Sequence, residues 1–349
     1  MKTIILLGSG VQDYQLFDTA SQNEALINEF KGNLFEYLVG LELAKSAGCE
    51  AHFLSSIQSD LTLRLRSYED WLWQNDSDLA EQLPRLAKSC ADYFKSHYSE
   101  SFEKVLLVGK IAGGSHDQSV GEADLLLIDR HENTTSISLK LCRTGAYVNT
   151  KSAGIRSFLS KYFSLLPNSG LTQERLNLVL DESFKELSRE LHRRHGLEEE
   201  DQFSKKWMDA NLPVLPGALN ELDQSLMFEH YFRVISIIAD FLKDAFEKDQ
   251  ERFNRCVGSI LGFANKDQIQ VICYHREVSK KKYQWSHCEY TDFSDRFDQL
   301  ALGQFQSPKK NQASLSIEYP FGDLQIRVKP MNKFTVAALK VNCSVRSRN

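Results

Sequence analysis

The hydrophobic period changes partway along this chain, and that change limits what it can fold into. From about 172 to 262, apolar residues recur at helical spacing in two runs. The first is Leu176, Leu178, Leu180, Phe184, Leu187 and Leu191; the second is Phe228, Phe232, Ile235, Ile238, Leu242 and Phe246, with Pro213 and Pro216 between them. Steps of three and four residues gather side chains on one helix face. From 268 onward the period becomes two. Gln268–Tyr274 reads as a strand, Leu315, Ile317 and Tyr319 alternate, Pro320–Asp323 turns, and Leu324, Ile326 and Val328 alternate again; Phe334–Val345 predicts one more strand.

The first half mixes the two patterns. Residues 1–10 suggest a short strand. Residues 22–46 predict an amphipathic helix through Ile27, Phe30, Leu34, Leu38 and Leu41, with Gly48 just past its end. Residues 60–98 read as helical, with Trp71, Trp73, Leu79, Leu83 and Leu86 as core. Lys104–Gly109 reads as a strand, 123–142 as a hairpin, and 152–165 as a helix capped by Thr150 or Ser152. The expected class is α/β (α+β): a mixed central sheet flanked by helices, with a helical insertion and a β-rich C-terminal part. The expected divisions are 1–170 as core, 171–265 as helical subdomain and 266–349 as the β-rich part.

No apolar run approaches the roughly 20 residues of a membrane span, and no membrane association is expected. The apolar run in Met1–Gly8 is only about five residues long, short of a signal-peptide core. Seven cysteines, an odd number without a CxxC pair, favour free thiols in a reducing, cytoplasmic setting. The net charge of −5 excludes a bulk basic character. Charge is nevertheless segregated. No acidic residue lies between Asn133 and Gln173, whereas Lys140, Arg143, Lys151, Arg156 and Lys161 do; the tail from Pro308 is likewise rich in lysine and arginine. Segregation of this kind suits one phosphate-facing surface, although chance clustering on solvated faces would give the same pattern.

Within the hairpin, Asp124 opens the apolar run Leu125–Ile128. The polar turn Arg130–Thr135 follows, and Ser136–Lys140 ends on a lysine. Strand alternation puts Ser138 and Lys140 on one face and Ile137, Leu139 and Leu141 on the other. A carboxylate and an ammonium then meet at one end of a sheet. Upstream, Glu36 sits in the predicted first helix with Gly32 and Gly40 four residues to either side, which clears side chains from around it. Helix packing through small residues, or an edge-strand lysine that discourages aggregation, would account for these features without a site.

Asp124, Ser138 and Lys140, with Glu36 before them, resemble the PD-(D/E)xK nuclease superfamily, whose fold is restriction-endonuclease-like. There an acidic residue opens a strand, a second acidic residue and a lysine two positions apart lie on the next strand, and a preceding helix often carries a glutamate. This chain departs at Ser138, where Asp or Glu is expected. The resemblance covers roughly 25–45 and 120–165. It implies a Mg²⁺-dependent DNA endonuclease, with Mn²⁺ able to substitute, of the type II restriction or another defence or mobile-element kind, and a homodimer. Asp124 and Glu36 would ligate the metal, Ser138 through its carbonyl or a water, and Lys140 would position the attacking water. Glu122 and Asp129 stay open as alternatives to Glu36, since a one-residue change of register alters which carboxylate points inward. Arg143, Asn149, Lys151, Ser152 and Arg156 are candidate DNA contacts, and the β-rich part either completes the core or touches DNA. RNA is a minor variant as substrate.

Weaker signals lead elsewhere. Val108-Gly-Lys lacks the remainder of a P-loop, and Gly8-Ser-Gly10 lacks the third glycine of a dinucleotide fingerprint. His192 and His195, among arginines, read as solvated. Cys273, His275, His287 and Cys288 read as strand residues rather than zinc ligands, and Lys280–Trp285 as a lysine-bearing turn or a grip on nucleic acid. Two rivals remain: a silent DNA-binding protein on the same fold, for which Ser138 argues, and a helical scaffold, for which the long helical stretch argues.

Overall fold

A computed structural model describes residues 3–7, 10–14, 20–109, 123–261, 268–292, 298–310, 312–331 and 333–347. In chain order the elements begin with β1 (Thr3–Leu7), β2 (Gly10–Tyr14), α1 (Ala20–Ser46), α2 (Glu50–Ser56), α3 (Ser59–Asn75), α4 (Ser77–His97), β3 (Lys104–Leu107), β4 (Leu125–Ile128), β5 (Thr134–Arg143) and β6 (Val148–Gly154). After a 3₁₀ turn come α5 (Phe158–Tyr162), α6 (Ser169–Arg194), α7 (Lys205–Asp209), α8 (Glu221–Lys248), α9 (Gln250–Leu261), β7 (Gln268–Val278), β8 (Lys281–Asp292), β9 (Gln304–Gln306), β10 (Ser314–Tyr319), β11 (Gly322–Pro330) and β12 (Leu339–Ser347). The class is mixed α/β. No helix among the described residues is long and apolar enough to cross a membrane.

The chain forms two compact units, Met1–Ala146 with Asn265–Asp295, and Tyr147–Ala264 with Arg296–Asn349. These differ from the divisions at 170 and 265 read from sequence: β6 and α5 belong to the second unit, while β7 and β8 return to the first. In the first unit the sheet order is β3-β4-β5-β7-β8. β3, β4 and β5 form an antiparallel meander, β7 lies parallel to β5, and β8 pairs back antiparallel. Chain length explains the parallel pair. Parallel neighbours need a long connection, and here the whole of Tyr147–Ala264 intervenes.

One face of this sheet is apolar and carries the helices. Leu125, Leu127, Ile137, Leu139, Ile269, Val271, Cys273 and Cys288 join Phe30, Phe35, Val39 and Leu43 of α1 and Leu79, Leu83, Leu86 and Phe94 of α4 in one core. Gly40 permits the close approach of α1, since a β-carbon there would lie 3.0 Å from both Leu125 Cδ2 and the Phe53 ring. Gly32 faces open space and answers to no such constraint. The helical reading of 60–98 resolves into α3 and α4, broken where Asp76 accepts a hydrogen bond from the backbone N–H of Leu79 at 3.2 Å. Trp73, expected in the core, is half exposed.

The second unit pairs β6-β12-β11-β10-β9 in a fully antiparallel sheet. Leu315, Ile317, Tyr319, Leu324, Ile326, Val328, Val341 and Cys343 form its buried side, and α8 packs against β10 and β11. Two expectations fail here. The segment 148–154 is strand rather than the start of a helix: Thr150 Oγ1 donates to the Cys343 carbonyl at 3.1 Å and caps nothing. His192 is fully buried rather than solvated, its Nδ1 2.8 Å from the Ser188 carbonyl, and His195 Nε2 lies 2.9 Å from the buried Asp223. Leu178 points outward, because residues 176, 178 and 180 cannot share one helix face.

His230 of α8 is buried beside Ser183 Oγ, 2.8 Å from its Nδ1. Burial, with a smaller push from the Arg233 charge, lowers its pKa from 6.5 to about 4. The neutral ring is therefore favoured in the folded state, so its contribution is complete above pH 6.5 and is lost as pH falls towards 4. Denaturant unfolding of wild type and His230→Phe across that window should show wild type losing roughly 3 kcal/mol more than the variant. Parallel curves would remove His230 as the titrating group.

Candidate functional site

The first unit brings Glu36, Asp124, Ser138 and Lys140 together where β4 begins. Backbone pairing fixes Asp124 on both sides. Its N–H donates to the Ile137 carbonyl at 2.8 Å, and its own carbonyl accepts from the N–H groups of Val108 and Gly109 at 3.0 and 3.1 Å. The carboxylate is oriented as firmly, for Oδ2 accepts the Leu139 N–H at 2.6 Å. Ser138 Oγ lies 3.5 Å from the same oxygen and Lys140 Nζ 3.7 Å from it. Asp124 is nearly enclosed, whereas the Lys140 side chain keeps about a quarter of its surface exposed. A strand N–H, a hydroxyl and an ammonium thus converge on one carboxylate oxygen.

Glu36 approaches from α1. A β-carbon on Gly109 would sit 2.7 Å from Glu36 Oε2 and 3.4 Å from Asp124 Oδ1, so the two carboxylates flank one small space that only glycine leaves open. Glu36 Oε2 is buried and has no hydrogen-bond partner. Desolvation pushes the Glu36 pKa well above the ordinary carboxylate range, the Asp124 charge pushes it further, and Lys140 opposes both. Leaving a buried acceptor unpaired costs free energy, and like charges at close range disfavour double ionisation. Both penalties fall if a cation enters between the carboxylates. Divalent magnesium accepts one or two protein carboxylates with water completing its shell, so Asp124 and Glu36 fit that donor set. No group of three or more His, Cys, Asp or Glu suited to a metal occurs among the described residues.

The other sequence candidates separate. Asp129 belongs to the β4–β5 turn, where its carboxylate accepts from the N–H groups of His131 and Asn133 and from Asn133 Nδ2. Glu122 lies outside the described residues. Arg143 ends β5 in the first unit, whereas Asn149, Lys151, Ser152 and Arg156 belong to the second. Arg156 is held by Asp181, and Ser152 Oγ donates to Asn342 Oδ1 at 2.8 Å. Lys151 is the register partner of Cys343, on the side of the sheet opposite Asn149 and Ser152. Cys273, His275, His287 and Cys288 lie on β7 and β8, with Cys273 paired to Cys288 across the strands. Gly109 is the site residue that sequence reading overlooks. Its only signal is its place at the end of an apolar run, and its function is a clearance that no local pattern records.

The chain matches no family model, no curated protein and no solved structure.

Glu36 supplies a pH signature. Its folded pKa is raised, so the contribution is present below the ordinary carboxylate pKa and is lost as pH rises through the folded value. Without divalent cation, wild type should lose thermal stability on going from mildly acidic to alkaline pH, and Glu36→Gln should lose less. Added Mn²⁺ should restore wild type through binding linkage and leave Glu36→Gln unmoved. Equal pH slopes for the two proteins would refute the buried-acid assignment.

Proposed function

We propose that the first unit hydrolyses phosphodiester bonds in DNA with a divalent cation held by Asp124 and Glu36. The observation that carries this reading is the partnerless, buried Glu36 oxygen facing Asp124, with Lys140 on the adjoining strand. Bound there, Mg²⁺ or Mn²⁺ would supply Lewis-acid polarisation of a phosphoryl oxygen.

The chain's own groups do the rest. The Leu139 N–H holds Asp124 in a single orientation, so the carboxylate needs no rearrangement when substrate arrives. Lys140 keeps about a quarter of its side chain in solvent and lies 3.7 Å from Asp124, a position from which its ammonium would turn toward a phosphate oxygen or an attacking water. An ammonium aimed at charge that develops in the transition state stabilises it more than the ground state. Gly109 preserves the gap. The order of hydrogen bonds, carboxylate pair and lysine agrees with the PD-(D/E)xK resemblance, and so does the mixed sheet with an acid opening one strand and a lysine on the next.

Ser138 favours a second reading, a DNA-binding protein that does not cut. The residue is buried and its hydroxyl faces Asp124 rather than an open cleft, so two carboxylates stand where the resemblance leads one to expect three acids. That protein would bind DNA equally well in EDTA.

Supercoiled and linear DNA incubated with Mg²⁺, Ca²⁺ or EDTA decide between the readings. Mg²⁺-dependent products are expected, with Asp124→Ala and Lys140→Ala each slower by about a hundredfold or more. Gly109→Ala should be slowed by about tenfold or more while remaining folded by circular dichroism, since only the carboxylate must give way. Intact DNA with wild type under every metal condition would reject hydrolysis. Salt-sensitive binding that persists in EDTA would then favour the silent protein.

A further inference from the structure

The outer face of the second unit's sheet is a grid of polar side chains. Its inner face is buried and apolar, so alternation sends every second residue outward. Register aligns these residues across strands: Gln306, Ser316 and Gln325 make one row, which ends at the buried Ser344, and Ser314, Arg327 and Asn342 make the next. A further pair, Lys329 and Lys340, flanks them. An open cleft of about 610 Å³ lies over this face. Among the described residues Gln306, Ser314, Ser316, Gln325 and Arg327 make no side-chain hydrogen bond or ion pair, whereas at the cleft's end Glu318 stands beside Asp323, which pairs with Arg346 at 3.2 Å.

Side chains on a solvated sheet face bond mostly to water, which a partner's polar groups can replace. Here amides, hydroxyls and a guanidinium stand together with their donors and acceptors open to a partner. Amides pair bidentately with adenine, and a guanidinium pairs bidentately with the guanine edge in the major groove. Three strands about 4.8 Å apart span about 10 Å, close to the roughly 12 Å width of that groove. The lysine pair at one side meets the phosphates that border it.

We propose that this face reads base sequence in the major groove of duplex DNA, with Gln325 and Arg327 as the base-contacting residues and Lys329 and Lys340 against the backbone. The proposal deepens the nuclease reading and rests on it for its choice of DNA. The face itself is independent of the Asp124 site, because every residue invoked belongs to the second unit.

Full-length Asp124→Ala protein, selected against randomised duplex DNA in Ca²⁺, tests the proposal without cleavage. The expected result is enrichment of a defined motif. Adding Gln325→Ala or Arg327→Ala should relax the motif at one or two positions and weaken binding to it by about tenfold, with non-specific DNA binding within about twofold and melting temperature unchanged. Failure to enrich any motif, an unchanged motif and affinity in both variants, or equally tight competition by duplex RNA, whose major groove is too narrow to read, would each overturn it. Cleavage by wild type is scored separately. Cleavage without sequence preference rejects the reading face and keeps the nuclease, and motif binding without cleavage does the reverse.

Discussion

A carboxylate that cannot comfortably ionise is the constraint around which the first unit is arranged. Glu36 is carried into the protein by a long helix whose other residues bury Phe30, Phe35, Val39 and Leu43. The packing that stabilises the helix therefore determines where the carboxylate sits, and the helix cannot rotate to expose it without opening the core. Asp124 is held as firmly by a different device, hydrogen bonds with the backbone of β5 and of Val108 and Gly109 just past β3. Two acids fixed by unrelated parts of the fold cannot move apart to relieve their repulsion. Burial and that repulsion together favour the protonated form of Glu36, and the Lys140 charge opposes them.

The residues that are easiest to read in the sequence are those whose role is local. The Asp124–Lys140 hairpin and α1 follow from side-chain period within a few residues of themselves, and both stand where the pattern places them. The failures have one physical source, dependence on distant chain. β6 has the hydroxyls and small residues of a loop, and it becomes a strand because β12, nearly two hundred residues later, offers it a hydrogen-bonding edge. β8 begins with lysines that resemble a turn, yet β7 supplies its ladder. His192 sits among arginines in sequence but is enclosed by Phe203 and Trp207, which arrive from a later segment. Gly109 is the extreme case, because what matters there is the absence of an atom next to Glu36.

The two sheets show how the same alternation can serve different ends. In the first unit the face away from the core carries Ser138 and Lys140, and the close charges Asp124, Lys140 and Glu36 gather at one end, where β4 starts. In the second unit the outward polar residues are distributed over five strands. A site that changes covalent bonds needs desolvation and close like charges, which are destabilising and must be confined to a few residues. A surface that discriminates among partners needs many weak, directional groups in fixed register, which a twisted antiparallel ladder provides at little cost in stability.

Serine at position 138 is consistent with the same electrostatic limit. A third carboxylate there would face Asp124 Oδ2, where the serine hydroxyl lies 3.5 Å away, and would add to a repulsion that Lys140 already opposes. The serine instead donates to Asp124, so a dipole stands where an acid would add a second charge. A backbone N–H, a hydroxyl and an ammonium face Asp124, while the buried Oε2 of Glu36 has no hydrogen-bond partner, and desolvation together with the Asp124 charge raises the Glu36 pKa. The two acids therefore differ in their surroundings: donors from β5 face Asp124, whereas Glu36 meets burial and a neighbouring negative charge that Lys140 offsets in part.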